Sequence, residues 1–407
     1  MAPPTHPPSP PRRQGAIRLI GLALAILAVL VVWQVAAPLP SGNVTATSSP
    51  AEPSALPSAD GSATAAQPTP TSAAQTAPPP TPIPTPRTVP APLTGLPVSP
   101  EAALQHPIAV MVDDDVHARP QSGFNAASIV WQAPAEGGVP RYMMIFQDRI
   151  PDGVGPVRSA RQYYVEWASE WRAMYVHHGG SPQALATLRA KGAGQWVYNA
   201  DGFRWLGRFL SRTDDKFAPH NVYTDGERLR RLAVRLNVED GEVTPIWSFG
   251  RALPAVFRPS GGTIKVVYPY EAITYRYDGP TNRYLRFIDK STTPQVDGDD
   301  GQPVAPTNVV ILRMAFGPLN DGHPETHRLE ARDVGTGEAW VSTNGATVKA
   351  VWKKKSASAP TLLFGLDGKE LTLTPGQTFV QVIPLTYAFK ITAGTPSTWR
   401  PPVQVAP

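Results

Sequence analysis

Hydrophobic positions are distributed along this chain in three textures. Residues 16–37 form one continuous apolar run. Residues 38–90 show no periodic apolar pattern. From residue 91 onward, short apolar runs are separated by Gly, Pro, Asp and Asn. Within that third part, IAVMVD, IVWQA, RYMMIF and AMYVHH are compact and rich in β-branched or aromatic residues, which predicts buried strands. IVWQA and RYMMIF flank PAEGGVP and predict a hairpin. Tyr163, Tyr164, Trp167, Ala168 and Trp171 recur at three- and four-residue intervals and predict a helix from Ala160 toward Trp171. Ser159 and Gln162 have capping-box spacing at its start. Ser181-Pro182 predicts a capped helix over ALATLRA, and Thr224-Asp225-Gly226-Glu227 one that runs through Arg235.

From Thr263 the pattern becomes strand after strand: TIKVVY, AITYRYD, RYLRFI, NVVILRM, EAWVSTNG, TVKAVW, TLLFG and TFVQVI. YDGPTNRY and STNGATV read as hairpins. The predicted architecture is an α/β domain over 91–240 followed by an antiparallel β-rich domain over 241–400.

The apolar run at 16–37 has the length of about 20 residues that a bilayer-spanning helix needs, longer than a signal-peptide core. Arg12, Arg13 and Arg18 lie in or before its start, and the next Lys or Arg is Arg87. The positive-inside rule then leaves residues 1–15 in the cytoplasm and exports the rest. Val35-Ala36-Ala37 offers a peptidase site, but Pro38 follows it, which favours a retained single-pass anchor. Residues 38–90 are mostly Pro, Ala, Ser and Thr, with no aromatic side chain. Such a segment cannot bury enough apolar area to offset its ordering entropy and is expected to be a disordered tether.

The absence of cysteine excludes disulfides, thiolate metal sites, cysteine nucleophiles and lipid attachment through a thiol. The net charge of +5 is modest, yet Arg158 to Arg235 holds 13 Lys/Arg against 7 Asp/Glu. A local basic excess suggests an anionic partner at one face. Export argues against nucleic acid.

The candidate chemistry centres on Gly155 to Ser181. Arg158 and Arg161 lie at one predicted helix start. His177, Gly179, Gly180 and Ser181 lie at another, where unpaired backbone N–H groups favour an anion. Arg161, a cation in a first helical turn, calls for a compensating negative charge, from Asp113, Glu136 or a ligand. Glu136 is the best-placed carboxylate for a general base. His177 is the alternative base, and Ser181 reads as a cap rather than a nucleophile. Asp113, Asp114 and Asp115 end a strand, and without a calcium-loop pattern they read as a polar strand end. His177, His178 and His220 lack the His-x-x-x-His spacing of zinc helices, so neither metal nor cofactor is expected.

MVDDDVHARPQSG, AEGGVPRYMMIFQ, GPVRSAR, HHGGSPQA, APHNVYT, KAVWKKKSASAPT and LTPGQTFVQVIP together resemble the YerB-like family of bacterial lipoproteins, from about Leu93 to Pro384. The resemblance implies paired domains and no particular activity. It places the family pattern on Asp113, Arg119, Gln121, Glu136, Arg141, Arg158, Ser159, Arg161, His177, Gly179, Gly180, Ser181, His220 and Asn221. The family's Asn and His after the first Asp are here Asp114 and Asp115, and its lipid-accepting cysteine is replaced by the helical anchor. The resulting expectation is a membrane-tethered module that grips an anionic envelope polymer or glycan through Arg119, Arg158 and Arg161. The alternative is an envelope hydrolase or transferase with Glu136 or His177 as base.

Overall fold

Strand β1 (Ile108–Asp113) is buried at all six positions, because both of its faces are covered. Ile108, Val110 and Val112 enter one core layer, and Ala109 and Met111 enter the other, the two-residue alternation of an extended chain. The computed structural model describes residues 87–398. The expected cytoplasmic tail, anchor and most of the tether lie outside the described residues. Among those described, no helix is long and apolar enough to cross a membrane.

In chain order, β1 is followed by β2 (Ile129–Pro134), β3 (Pro140–Phe146), helix α1 (Gln162–Ser169), β4 (Met174–His177), α2 (Pro182–Lys191), β5 (Tyr198–Asp201) and α3 (Gly226–Arg235). The second half contributes β6 (Thr263–Val267), β7 (Ala272–Asp278), β8 (Arg283–Ile288), β9 (Asn308–Met314), β10 (Gly335–Thr343), β11 (Ala346–Lys354), β12 (Leu362–Gly365), β13 (Thr378–Pro384) and β14 (Phe389–Thr392). Ten of these strands form one sheet in the order β12-β11-β10-β9-β13-β2-β3-β1-β4-β5. A four-stranded antiparallel sheet, β8-β7-β6-β14, lies against one of its faces. Helices α1 and α2 cover the other face through Tyr163, Tyr164, Trp167 and Leu188, with Trp131 and Trp167 stacked 4.7 Å apart.

The two halves therefore meet inside a sheet rather than across a cleft. Strand β13, from the end of the chain, pairs in parallel with both β9 and β2. The second half is for that reason not purely antiparallel, and the β-rich region is more than a second wall.

Most local expectations match the structure. The β10–β11 turn has positive φ at both Asn344 and Gly345, as a two-residue hairpin of this twist requires. Ser181 caps α2 by accepting from Ala184 N at 3.3 Å. The capping box at α1 is a correction. Helix α1 starts at Gln162 with Arg161 as N-cap and no side-chain cap bond. The Ser159 hydroxyl instead donates to the His178 carbonyl at 3.1 Å, which it reaches because the loop is drawn onto the end of β4.

Between the two sheets lies a buried polar network centred on Arg286 of β8, which is 0% exposed. Its Nη2 donates to Gln132 Oε1 and to the Tyr142 hydroxyl, both at 2.9 Å, and its Nη1 donates to Gln295 Oε1. Gln381 of β13 donates to Gln132 Oε1 and to the Tyr275 hydroxyl, both at 2.9 Å. The countercharge comes from Asp114 and Glu271, which share the Gln132 amide at 2.5 and 2.9 Å. Burial, reinforced by the Glu271 charge, holds the Asp114 carboxyl well above the usual carboxylate range.

A second buried cluster lies under α1. Lys354 of β11 donates to Glu170 Oε1 at 2.7 Å, and Thr361 donates to the same carboxylate through its N–H and hydroxyl. Burial first, then the neighbouring Glu166, pushes the Asp333 carboxyl up to about 8 from its ordinary 3.8.

Two predictions follow from these clusters. Arg286→Met leaves the Gln132, Tyr142 and Gln295 oxygens without this donor and Asp114 and Glu271 with Arg119 alone, and should cost about 3–5 kcal/mol in urea unfolding. Arg276→Met, on the exposed face of the same sheet, should cost less than about 1 kcal/mol. Equal midpoint shifts would show that the network does not hold the layers. For Asp333, a carboxyl whose folded pKa is raised contributes stability at low pH that is lost as pH climbs from about 4 to about 8. Asp333→Asn, which mimics the protonated acid, should therefore gain on wild type through that window and keep a constant lead of several °C in Tm above it. Parallel Tm curves from pH 4 to 9 would refute the assignment.

Candidate functional site

The segment GPVRSAR is stitched between β1 and β4 rather than left as a free loop. Arg158 N donates to Met111 O at 2.9 Å, and His178 N donates to Arg158 O at 2.9 Å. Ala160 N donates to Gly179 O at 2.9 Å, and Ser181 N donates to Ala160 O at 3.1 Å. The Ser181 bond takes up the N-cap N–H of α2, one of the groups an anion would use there.

The predicted residues are brought together as three separate charge clusters at the ends of β1, β3 and β4. In the first, Glu136 is shared by two arginines. Arg141 Nη2 lies 2.8 Å from Glu136 Oε2, and Arg161 Nη2 pairs with Glu136 Oε1. Arg141 also donates to Ser159 O at 3.0 Å. Burial lowers the Arg161 guanidinium to about 10, which leaves it charged at neutral pH. The charge that Arg161 called for is thus supplied by the protein. Both Glu136 oxygens are thereby engaged by guanidiniums rather than left open to a substrate.

In the second cluster, Asp113 stands directly opposite Arg141 in the β1–β3 register, close enough for its charge to act on that guanidinium. Its Oδ2 lies 2.9 Å from Arg158 Nε and 2.7 Å from His220 Nδ1. Asn221, beside His220, accepts from Arg212 at 2.6 Å and donates to Thr213 O at 3.0 Å. In the third, Arg119 pairs with Glu271 and lies 3.8 Å from Asp114. Gln121 donates to Asp113 O at 3.1 Å and reaches Asp114 at 3.4 Å.

His177 is fully buried with both ring nitrogens occupied, Nδ1 by Gly179 O at 2.7 Å and Nε2 by Asn199 Oδ1 at 2.8 Å. In this arrangement both of its nitrogens are taken up inside the protein. Gly179 has φ +78°, and a Cβ there would lie 3.0 Å from Phe203. Gly180 packs equally close to Leu185. Both glycines serve chain packing.

Sequence reasoning missed Gln132, Glu271, Arg286 and Gln381, and it read Asp114 as a polar strand end where the structure buries it in their network. The signal was present in part: a glutamine inside each apolar run IVWQA and TFVQVI, and an arginine at an inward position of RYLRFI. It also missed that Asp115, His117 and His220 come together, with their ligand atoms within 4.8 Å of one another. A groove of about 690 Å³ opens beside the Glu136 turn, lined by Gly137, Phe316, Leu319 and Arg328 among others, and neither Arg158 nor Arg161 belongs to it.

Comparison with known proteins identifies the family and the fold. The N-terminal domain described as "Protein of unknown function (DUF3048)" matches residues 93–239, and its C-terminal domain matches residues 264–380. A Bacillus subtilis relative named "Putative lipoprotein YerB" is 31% identical over 310 residues, which cover 75% of this chain and 89% of that protein. The crystal structure of YerB protein from Bacillus subtilis superposes with a TM-score of 0.66 at 28% identity, over 74% of this chain and 99% of that one. Sequence, domain pairing and fold agree, and the chain belongs to the YerB-like family.

Proposed function

We propose that this protein is a membrane-tethered, extracytoplasmic binding module, held by residues 16–37 and presenting the Arg158 end of its site to an anionic group of an envelope polymer or glycan. The observation that carries the reading is the state of Arg158. Its Nε faces Asp113, while among the described residues no hydrogen-bond partner reaches its two terminal nitrogens. The side chain is 23% exposed, and Arg212 is close enough to help depress the neighbouring His178, whose pKa falls chiefly through burial. A guanidinium with its two terminal N–H groups free has the fork that carboxylate and phosphate recognise. Arg119, Arg141 and Arg161 are spent on internal carboxylates and enter this reading only as its frame. The hydrolase or transferase alternative loses support because Glu136 and His177 are both engaged. The relative's name as a lipoprotein fits an extracytoplasmic, membrane-held protein.

A second reading is favoured by the same pairings: an assembly scaffold that binds no anion. One experiment separates the two. The full-length chain is titrated with poly(glycerol phosphate) and with a neutral glycan at low and high salt. The binding module should take the polyanion alone, more weakly as salt rises. Arg158→Gln should weaken it at least about tenfold, equivalent to about 1.4 kcal/mol, and should also lower Tm, because the buried Asp113 is left with His220 as its only ion-pair partner. Arg161→Gln should lower Tm and leave the isotherm in place. No polyanion binding, or a wild-type isotherm for Arg158→Gln, would leave the scaffold reading.

A further inference from the structure

From the arrangement around Asp113 we infer that Asp115, His117 and His220 form a site for a divalent transition metal of the zinc class, with Asp113 as the outer carboxylate that sets His220. The inference stands apart from anion binding at Arg158. Asp115 and His117 come from the turn after β1, where Asp115 caps the short helical turn Val116–Ala118 through His117 N at 2.9 Å. His220 arrives from the loop ahead of Val222, more than a hundred residues later. One carboxylate oxygen and two ring nitrogens then lie within 4.8 Å of one another. Zinc holds such donors at about 2.0–2.2 Å. Asp115 Oδ1 and His117 Nδ1 already touch at 2.7 Å, so around the ion that pair opens to roughly 3.3 Å and closes on His220, a movement that the exposed ring of His117, 57% accessible, can supply by rotation.

The second observation is the bond behind His220. A carboxylate only accepts, so Nδ1, 2.7 Å from Asp113 Oδ2, carries the proton. The lone pair of a neutral imidazole is thereby placed on Nε2. Buried carboxylates orient metal-binding histidines in this way, and they raise the basicity of the ligating nitrogen. Asp113 is itself 2% exposed and anchored by Arg158, so His220 is set by a rigid partner. Phe217 packs edge-on against both histidine rings, at 5.3 Å from His117 and 5.4 Å from His220, and shields one side of the site. Two nitrogens and one oxygen suit zinc and its neighbours, whereas magnesium and calcium prefer oxygen alone. Three protein ligands leave a fourth position open to water or to an incoming anion.

The test uses the untagged full-length chain, stripped with chelator and titrated with Zn²⁺ at neutral pH. Calorimetry should give one tight site per chain, and Tm should rise with Zn²⁺ and not with millimolar Mg²⁺. Co²⁺ in its place should give the visible absorption of a four-coordinate site. His117→Ala, at an exposed position that the fold does not need, should weaken Zn²⁺ at least about tenfold. Asp113→Asn should weaken it about 10–100-fold. His323→Ala, which removes a different exposed His–acid pair, should change nothing. Absence of saturable Zn²⁺ binding overturns the inference. So does binding that survives both His117→Ala and His220→Gln, because the metal then sits elsewhere.

Discussion

A fully buried guanidinium is the constraint on which this architecture depends. Arg286 lies where the four-stranded sheet crosses the ten-stranded one, and a charge in that position is tolerated only if every donor is met and a counterion is close. Meeting that demand recruits Gln132 from β2, Tyr142 from β3, Tyr275 from β7 and Gln381 from β13, with Glu271 and Asp114 as the acidic side. The first and second halves of the chain supply these groups in roughly equal measure. A network satisfied only when the two halves dock in one register gives specificity that apolar layers alone do not provide.

The same logic governs the edge of the sheet. The sequence shows a basic excess from Arg158 to Arg235, but the structure does not gather it into one field. Arg141, Arg158 and Arg161 meet Asp113 and Glu136, while Arg204, Arg208 and Arg235 lie over the faces of Trp205 and Phe209. Lys191 covers Trp196. Long cationic stems used as covers for aromatic rings contribute packing and solubility without converging on a ligand. Net charge by segment therefore overstated the site, and Arg158 is left as its exposed terminus.

How much was legible follows from the range of each interaction. Strands and their hairpins were readable from two patterns: β6 and β7 alternate in burial every two residues in their own letters, and β1 is a short, almost wholly apolar run buried on both faces. The caps of α2 and α3 were readable because Ser181 and Asp225 act on N–H groups three residues away. The cap at α1 failed where a distant group intervened: the His178 carbonyl captured the Ser159 hydroxyl. Pairings such as Arg119 with Glu271, 152 residues apart, leave no local trace. Nor did the joining of two predicted domains by β13, since a parallel partner is not announced by a strand's own sequence.

What remains at the site is a chain of carboxylates each asked to do two things. Glu136 holds Arg141 and Arg161; Asp113 holds Arg158 and His220; Asp115 caps a turn and meets His117. Shared acids of this kind couple their partners, because a group that draws more strongly on one oxygen weakens the other contact. Both contacts of Asp113 fall on one oxygen, Oδ2, at 2.9 Å from Arg158 Nε and 2.7 Å from His220 Nδ1, so each partner draws on negative charge that the other also uses.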